Sequence, residues 1–389
     1  MSKSEMSEKT RREFLLRGSL AAAGVLAAAS GLSAATKRAH QPAGQRVFVS
    51  SGAKDGIVAF DWDAEHALLS AVGSAAEIST VDWVALSPDK KYLFAVAEVE
   101  SFNGRATGEV ASFALNHGKL KPLSARNSAS QGSCHLAVDA TGTVLVAADY
   151  GGGSAASFQI KDGVLSEVVW SEHFTGHGPN IERQEAAHAH FISYSPDNRF
   201  VYVNDLGGDL IHIYALDVAT AKLSAAGAYK ARPGAGPRTL HFHPNGRTAY
   251  SVNELDSTVD VLVWDKANGS LTLMDRVEIL LPGTPGPKWG CDAVLTRDGR
   301  FVYVAHRGTD FILSLKADAE TGKLTPMERT PAGGKIPRSF VLDPSEKWLL
   351  VANQKSDYVT VFERNPETGL MAKEGRNFAI ATPMAIVFV

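Results

Sequence analysis

Residues Gly236 to Asp265 read GPRTLHFHPNGRTAYSVNELDSTVDVLVWD. Apolar side chains alternate from Arg238 to His243, a Pro-Asn-Gly turn follows, and alternation resumes over Thr248 to Asn253 and over Thr258 to Trp264. Period-two alternation broken by polar turns predicts three short antiparallel strands. The pattern returns at Ser195 (SPDNRFVYVNDLGGDLIHIYALD), Thr296 (TRDGRFVYVAHRGTDFILSLKAD) and Asp343 (DPSEKWLLVANQKSDYVTVFERN). Weaker copies begin at Ser87 and Asp139, and a truncated one, RVFVSSGAKDGIVAFDWD, at Arg46. A repeat of about 50 residues is the spacing of propellers and solenoids.

One unit has too few strands to cover its own two faces, so the seven units must share a core. The expected fold is all-β: a seven-bladed β-propeller of four-stranded antiparallel blades in one domain, 46–389. The segment from Pro383 to Val389 matches the first strand of a repeat and lacks the following two, whereas the Arg46 unit lacks that first strand. The two ends are therefore expected to complete one blade together and close the ring.

Residues 1–35 read as an export signal and 36–45 as a linker. Arg11-Arg12 with Glu13-Phe14-Leu15 precedes a short Ala/Leu/Gly-rich run from Ser19 to Ala35. The run is short for a membrane span and ends in small residues. The paired arginines resemble a twin-arginine signal, which implies the periplasm or exterior; a general secretory signal and an uncleaved anchor are the other readings. The formal net charge is −3 and the body of the chain has no basic run, which argues against nucleic acid as a partner. The expectation is a monomer with no membrane contact beyond the signal. Cys134 and Cys291 occupy equivalent repeat positions three blades apart, too far for a disulfide, and are expected to be buried and unpaired.

In an antiparallel hairpin the start of the first strand lies beside the end of the second. Those positions pair Trp83 with Glu98, His135 with Asp149 and Tyr150, His190 with Asp205, Arg238 with Glu254, Asp292 with Arg307, and Arg338 with Gln354 and Lys355. Around a propeller axis they gather ionisable side chains at one opening, the mark of a binding or catalytic pocket. Asp149 and Asp205 could equally cap turns. His188 and His190 share a strand approach without a third ligand, so no metal and no other cofactor is expected. The loops 173–187 and 282–289 lead into first strands and should overhang that opening.

The motifs Gly236-Pro237-Arg238, Asn253-Glu254-Leu255, His188-Ala189-His190, His306-Arg307-Gly308 and Ile336-Pro337-Arg338 are similar to those of the lactonase family of seven-bladed propellers. That family includes a bacterial 6-phosphogluconolactonase and the fungal carboxy-muconate lactonising enzyme. The resemblance runs from Arg46 to Val389. It implies His190, Arg238, Glu254 and Arg307 as catalytic residues; of the other positions around the opening, His135, Tyr150, His188, Asp205, Asp292, Arg338 and Gln354 are expected to bind substrate. Asp292 stands where the family often has Glu, and His306 where it often has Asn, departures expected to shift the substrate. The expected activity is hydrolysis of a small lactone or other small anionic substrate, with His190 or Glu254 as base and the two arginines on the oxyanion. A muconate-type cycloisomerase and a non-catalytic binding propeller are the alternatives.

Overall fold

The computed structural model describes residues 45–389; the export signal and nearly all of the linker lie outside the described residues. Strands β1 (Gln45–Ser51), β2 (Ile57–Asp63) and β3 (Leu68–Ala76) belong to blade one, and β4 (Val81–Leu86), β5 (Tyr92–Ala97), β6 (Glu109–Asn116) and β7 (Lys119–Asn127) form blade two. Blade three has β8 (Ser133–Val138), β9 (Val144–Asp149) and β10 (Ser154–Lys161), with its outer edge split into β11 (Val164–Leu165) and β12 (Trp170–His173). Blade four is β13 (Ala189–Tyr194), β14 (Phe200–Asp205), β15 (Leu210–Asp217) and β16 (Lys222–Lys230). Blade five is β17 (Pro237–Phe242), β18 (Thr248–Asn253), β19 (Thr258–Trp264) and β20 (Leu271–Glu278). Blade six is β21 (Gly290–Leu295), β22 (Phe301–His306), β23 (Phe311–Ala317) and β24 (Leu324–Pro331). Blade seven is β25 (Pro337–Leu342), β26 (Trp348–Asn353), β27 (Tyr358–Glu363) and β28 (Arg376–Ala379). The last strand, β29 (Pro383–Phe388), returns to pair with β1 and supplies blade one's innermost strand.

The seven innermost strands touch one another in sequence, β4, β8, β13, β17, β21, β25, β29 and back to β4, so the ring is closed. Burial follows from this arrangement. Each of the seven apolar clusters straddles one blade interface: Phe94 and Val96 meet Leu136 and Phe158 between blades two and three, and Val252 and Val261 meet Val302 and Leu313 between five and six. The core is thus a set of walls between blades, which a lone repeat could not make.

Polar fasteners repeat with the blades. Tyr202 Oη donates to the Gly269 carbonyl at 2.7 Å, Tyr250 Oη to that of Gly322 at 2.7 Å, and Tyr303 Oη to that of Gly369 at 2.7 Å. Each ties a buried second strand to the outer turn of the following blade. Those glycines have positive φ, 77°, 71° and 71°, a conformation that side chains with a Cβ resist.

Candidate active site

Every innermost strand breaks its register just inside its start. The irregularity falls between Val81 and Trp83, Ser133 and His135, Ala189 and Phe191, Pro237 and Thr239, Gly290 and Ala293, and Pro337 and Ser339. β1 shows the matching shift against β29. A β-bulge gives one residue no partner across the ladder and re-aims its side chain. The residues so placed include Asp82, Cys134, His190, Arg238, Cys291 and Arg338, one from each of six blades. The pairing by repeat position is therefore corrected by one residue for Trp83 and His135, which follow the bulge.

Glu254 is the hub. It follows β18, is fully buried, and meets three guanidinium groups. Arg183 Nη2 donates to its Oε1 at 2.6 Å, Arg307 Nη2 donates to Oε2 at 2.5 Å, and Arg238 Nε lies 3.1 Å from Oε2. Burial alone would raise the Glu254 carboxyl, but Arg307, Arg238 and Arg183 together hold it below its ordinary value, so it stays ionised. Arg238 is fixed further by donating from Nη1 to the Cys291 carbonyl at 2.7 Å. Burial pulls Arg307 down from the usual guanidinium range, partly offset by Glu254. Arg238, Glu254 and Arg307 come from blades five and six; Arg183, which the repeat pattern did not single out, comes from the loop before β13.

That loop is built, not slack. Gln184 is fully buried, and its Nε2 donates to the Leu206 carbonyl at 2.9 Å and to Asp209 Oδ1 at 2.8 Å. The backbone of Arg183 and that of Gln184 both donate to the Asn180 carbonyl. Arg183 Nη2 also reaches Tyr150 Oη at 3.2 Å. Tyr150 stacks on His188 with ring centroids 4.4 Å apart and meets His190 edge-on at 5.5 Å. His188 is saturated, with Nδ1 on the Tyr150 carbonyl at 2.9 Å and Nε2 on Glu185 at 3.2 Å. His190 is the free imidazole: its Nδ1 is buried without a partner. Burial first, then Arg238, Arg338 and Arg307, push its pKa well below the ordinary imidazole value, so it is neutral at pH 7.

Arg338 binds Asp82 past blade one, from blade seven to blade two, with Nη2 at 2.7 and 2.5 Å from the two carboxylate oxygens. Nearby Glu98 is raised by burial and by Asp82. Ion pairs at this opening thus run between blades more than within them. Asp292 does not meet Arg307; it accepts from His241 Nε2 at 2.9 Å and from the Ala293 amide at 2.8 Å. Asp205 is also corrected, because its Oδ1 accepts the His188 and Gly208 amides at 2.7 and 3.0 Å; it positions His188. Asp149 is held by Ser128, Ser133 and Ser154. His135 lies in a buried stack between Trp83 and Phe191, at 4.6 and 3.8 Å, and its Nδ1 accepts the Ile192 amide. His306 carries structure: it contacts Ser257 Oγ and the Trp289 amide, and burial lowers its pKa to about 4. Gln354 is half-buried and only its backbone amide is engaged, by the Ile336 carbonyl. Both cysteines are buried and free; Cys134 Sγ points to the His190 carbonyl at 3.4 Å. Among the described residues no His/Cys/Asp/Glu group has a metal-binding arrangement.

The family model described as lactonase, 7-bladed beta-propeller, matches residues 46–388. A 6-phosphogluconolactonase of Bacillus subtilis is 30% identical over 341 residues, 87% of this chain and 96% of that protein. A second 6-phosphogluconolactonase, from Formosa agariphila, is 30% identical over 82% of this chain and 91% of its own length. Among solved structures, the Pseudomonas aeruginosa periplasmic gluconolactonase PpgL superposes with a TM-score of 0.83 at 28% identity, covering 89% of this chain and 99% of that one. A blade order closed by its two end strands, a polar rim of bulge residues and similarity over all seven blades agree, and the chain belongs to the seven-bladed β-propeller lactonase family.

Proposed function

We propose that this protein is a 6-phosphogluconolactonase-like lactone hydrolase that opens a sugar lactone or a related cyclic ester by water attack. The observation that carries the reading is one ionised carboxylate, Glu254, clamping three arginines around a ring opening beside a neutral, unpartnered imidazole, His190. Water attacks the lactone carbonyl and His190 takes its proton. Negative charge gathers on the carbonyl oxygen, where Arg238 and Arg307, already charged and held in place, stabilise it. The tetrahedral centre then collapses, the bond to the ring oxygen breaks, and the imidazolium returns its proton to that oxygen. The product is a hydroxy acid, which loses one proton to solvent near neutral pH. Glu254 acts as the anchor of the arginines in this scheme, and His190 as the base.

Proton release from D-glucono-1,5-lactone and its 6-phosphate ester, corrected for spontaneous hydrolysis, tests the reading. Turnover is expected in the wild type and lost by about a hundredfold or more in Arg238→Ala. Absence of turnover on both lactones, or an Arg238→Ala variant of full activity, rejects it.

We also propose that the protein is exported from the cytoplasm, a reading supported by the Arg11-Arg12 leader and by similarity to a periplasmic gluconolactonase of Pseudomonas. Fractionation of cells expressing the full chain tests this. Replacing both arginines by lysine should retain the protein in the cytoplasm.

A further inference from the structure

We infer that Arg183 is the specificity-determining residue of this site, recruiting substrates that carry a second anionic group away from the lactone carbonyl. The inference rests on the lactonase reading and adds to it a substrate class and a residue. Charge comes first. Three guanidinium groups share the single carboxylate of Glu254, two of them buried, which leaves two positive charges unmatched at the opening. Buried cations without counter-charge are costly, so an anionic ligand has a place prepared for it.

The three arginines are not equivalent. The Arg238 and Arg307 side chains are only 5% and 14% exposed, whereas that of Arg183 is 33% exposed. The Nε group of Arg307 is buried without a hydrogen-bond partner, so a donor remains at the heart of the cluster. Arg238 is tied to the Cys291 carbonyl, but Arg183 has only Glu254 and the Tyr150 hydroxyl as partners. Its backbone is fixed by the buried Gln184, so the guanidinium can exchange partners while its root stays still. Burial disfavours the charged form of Arg183, but Glu254 and Tyr150 more than offset it, and the group stays cationic.

A phosphate or carboxylate on the far side of the substrate would take Arg183 in a forked pair, a geometry lysine cannot reproduce. Arg183 would then leave Glu254 Oε1 for the substrate, with Arg238 and Arg307 kept on the carbonyl. Recognition and chemistry would thereby fall to different arginines of one cluster.

The test compares the neutral D-glucono-1,5-lactone with two anionic lactones, its 6-phosphate ester and a glucarolactone bearing a free carboxylate. The readout is the ratio of kcat/KM for each anionic lactone to that for the neutral one. In Arg183→Ala the ratio is expected to fall about tenfold or more, through KM, with partial recovery in Arg183→Lys. Loss on the phosphate ester alone identifies phosphate as the preferred anion, and loss on the glucarolactone alone identifies carboxylate. An unchanged ratio, or an equal fall on all three, overturns the proposal and leaves Arg183 a structural prop. If the wild type opens no lactone, the hydrolase reading fails by itself. Inorganic phosphate and D-gluconate titrated by calorimetry into wild type and Arg183→Ala then decide the inference: weaker binding in the variant supports it, and equal or absent binding rejects it.

Discussion

Removing one carboxylate at the rim would strand its cations. Glu254→Ala leaves three arginines facing one another, so it should abolish turnover and also cost about 3–5 kcal/mol in stability, read from urea unfolding. Asp82→Ala strands Arg338 in the same way, and a similar loss is expected. In the double variant Asp82→Leu with Arg338→Met neither member of the pair is left without its partner, so most of that stability should return. His135 and His190 give a pH signature. Burial lowers both, so each is neutral in the folded chain while its unfolded counterpart takes up a proton below about pH 6.5. Stability should therefore fall as pH drops from about 7.5 to about 5.5, and His135→Phe should flatten that fall in urea midpoint. Arg238, Glu254 and Arg307 could be found from their repeat positions, since charged groups stand there in strands otherwise apolar. Asp82 and Arg183 were not: Asp82 holds the same bulge position as Arg238 and Arg338, but reading blade two one residue late selects Trp83, and Arg183 sits in a loop with no copy in the other blades.

At the scale of the blade, the inner-strand bulge does what alternation cannot. Alternation sends successive side chains to opposite sheet faces, toward the two neighbouring blades; the extra residue turns one of them aside. The Tyr fasteners offer a direct check. Tyr250→Phe removes the bond to Gly322 while keeping the ring in its interface, so it should cost about 0.5–1.5 kcal/mol by thermal or urea unfolding. Gly322→Ala should cost more, because a Cβ there has an unfavourable φ of 71° and meets the Thr248 side chain. Gly207 has a matching role at the site: a Cβ would collide with the Ala186 carbonyl and press on the His188 amide. Gly207→Ala is expected to lower activity by displacing the loop that carries Arg183. The split outer edge of blade three was beyond the repeat, since β11 and β12 are separated by a short irregular stretch with no counterpart in blades four to six.

The molecule as a whole was legible because a propeller repeats its physics: each interface needs the same apolar alternation, and the alternation marks the blades. What repetition cannot convey is who meets whom around the ring, and the Arg338–Asp82 pair, 256 residues apart in sequence, is the clearest case. Removing residues 383–389 deletes β29, with buried Met384, Ala385 and Ile386, and leaves both β1 and its neighbours uncovered. Far-ultraviolet circular dichroism should then show a broad, early melt in place of one cooperative transition. The same closure governs how the chain is made. Ser50 and Ala385, bonded across blade one, are separated by 335 residues, so a nascent chain emerging from the ribosome holds an open arc until its final strand is free. Loop closure of that length comes late and slowly, and the unpaired edge of β1 stays available to chaperones throughout synthesis. Translation speed over the last blade should therefore influence yield.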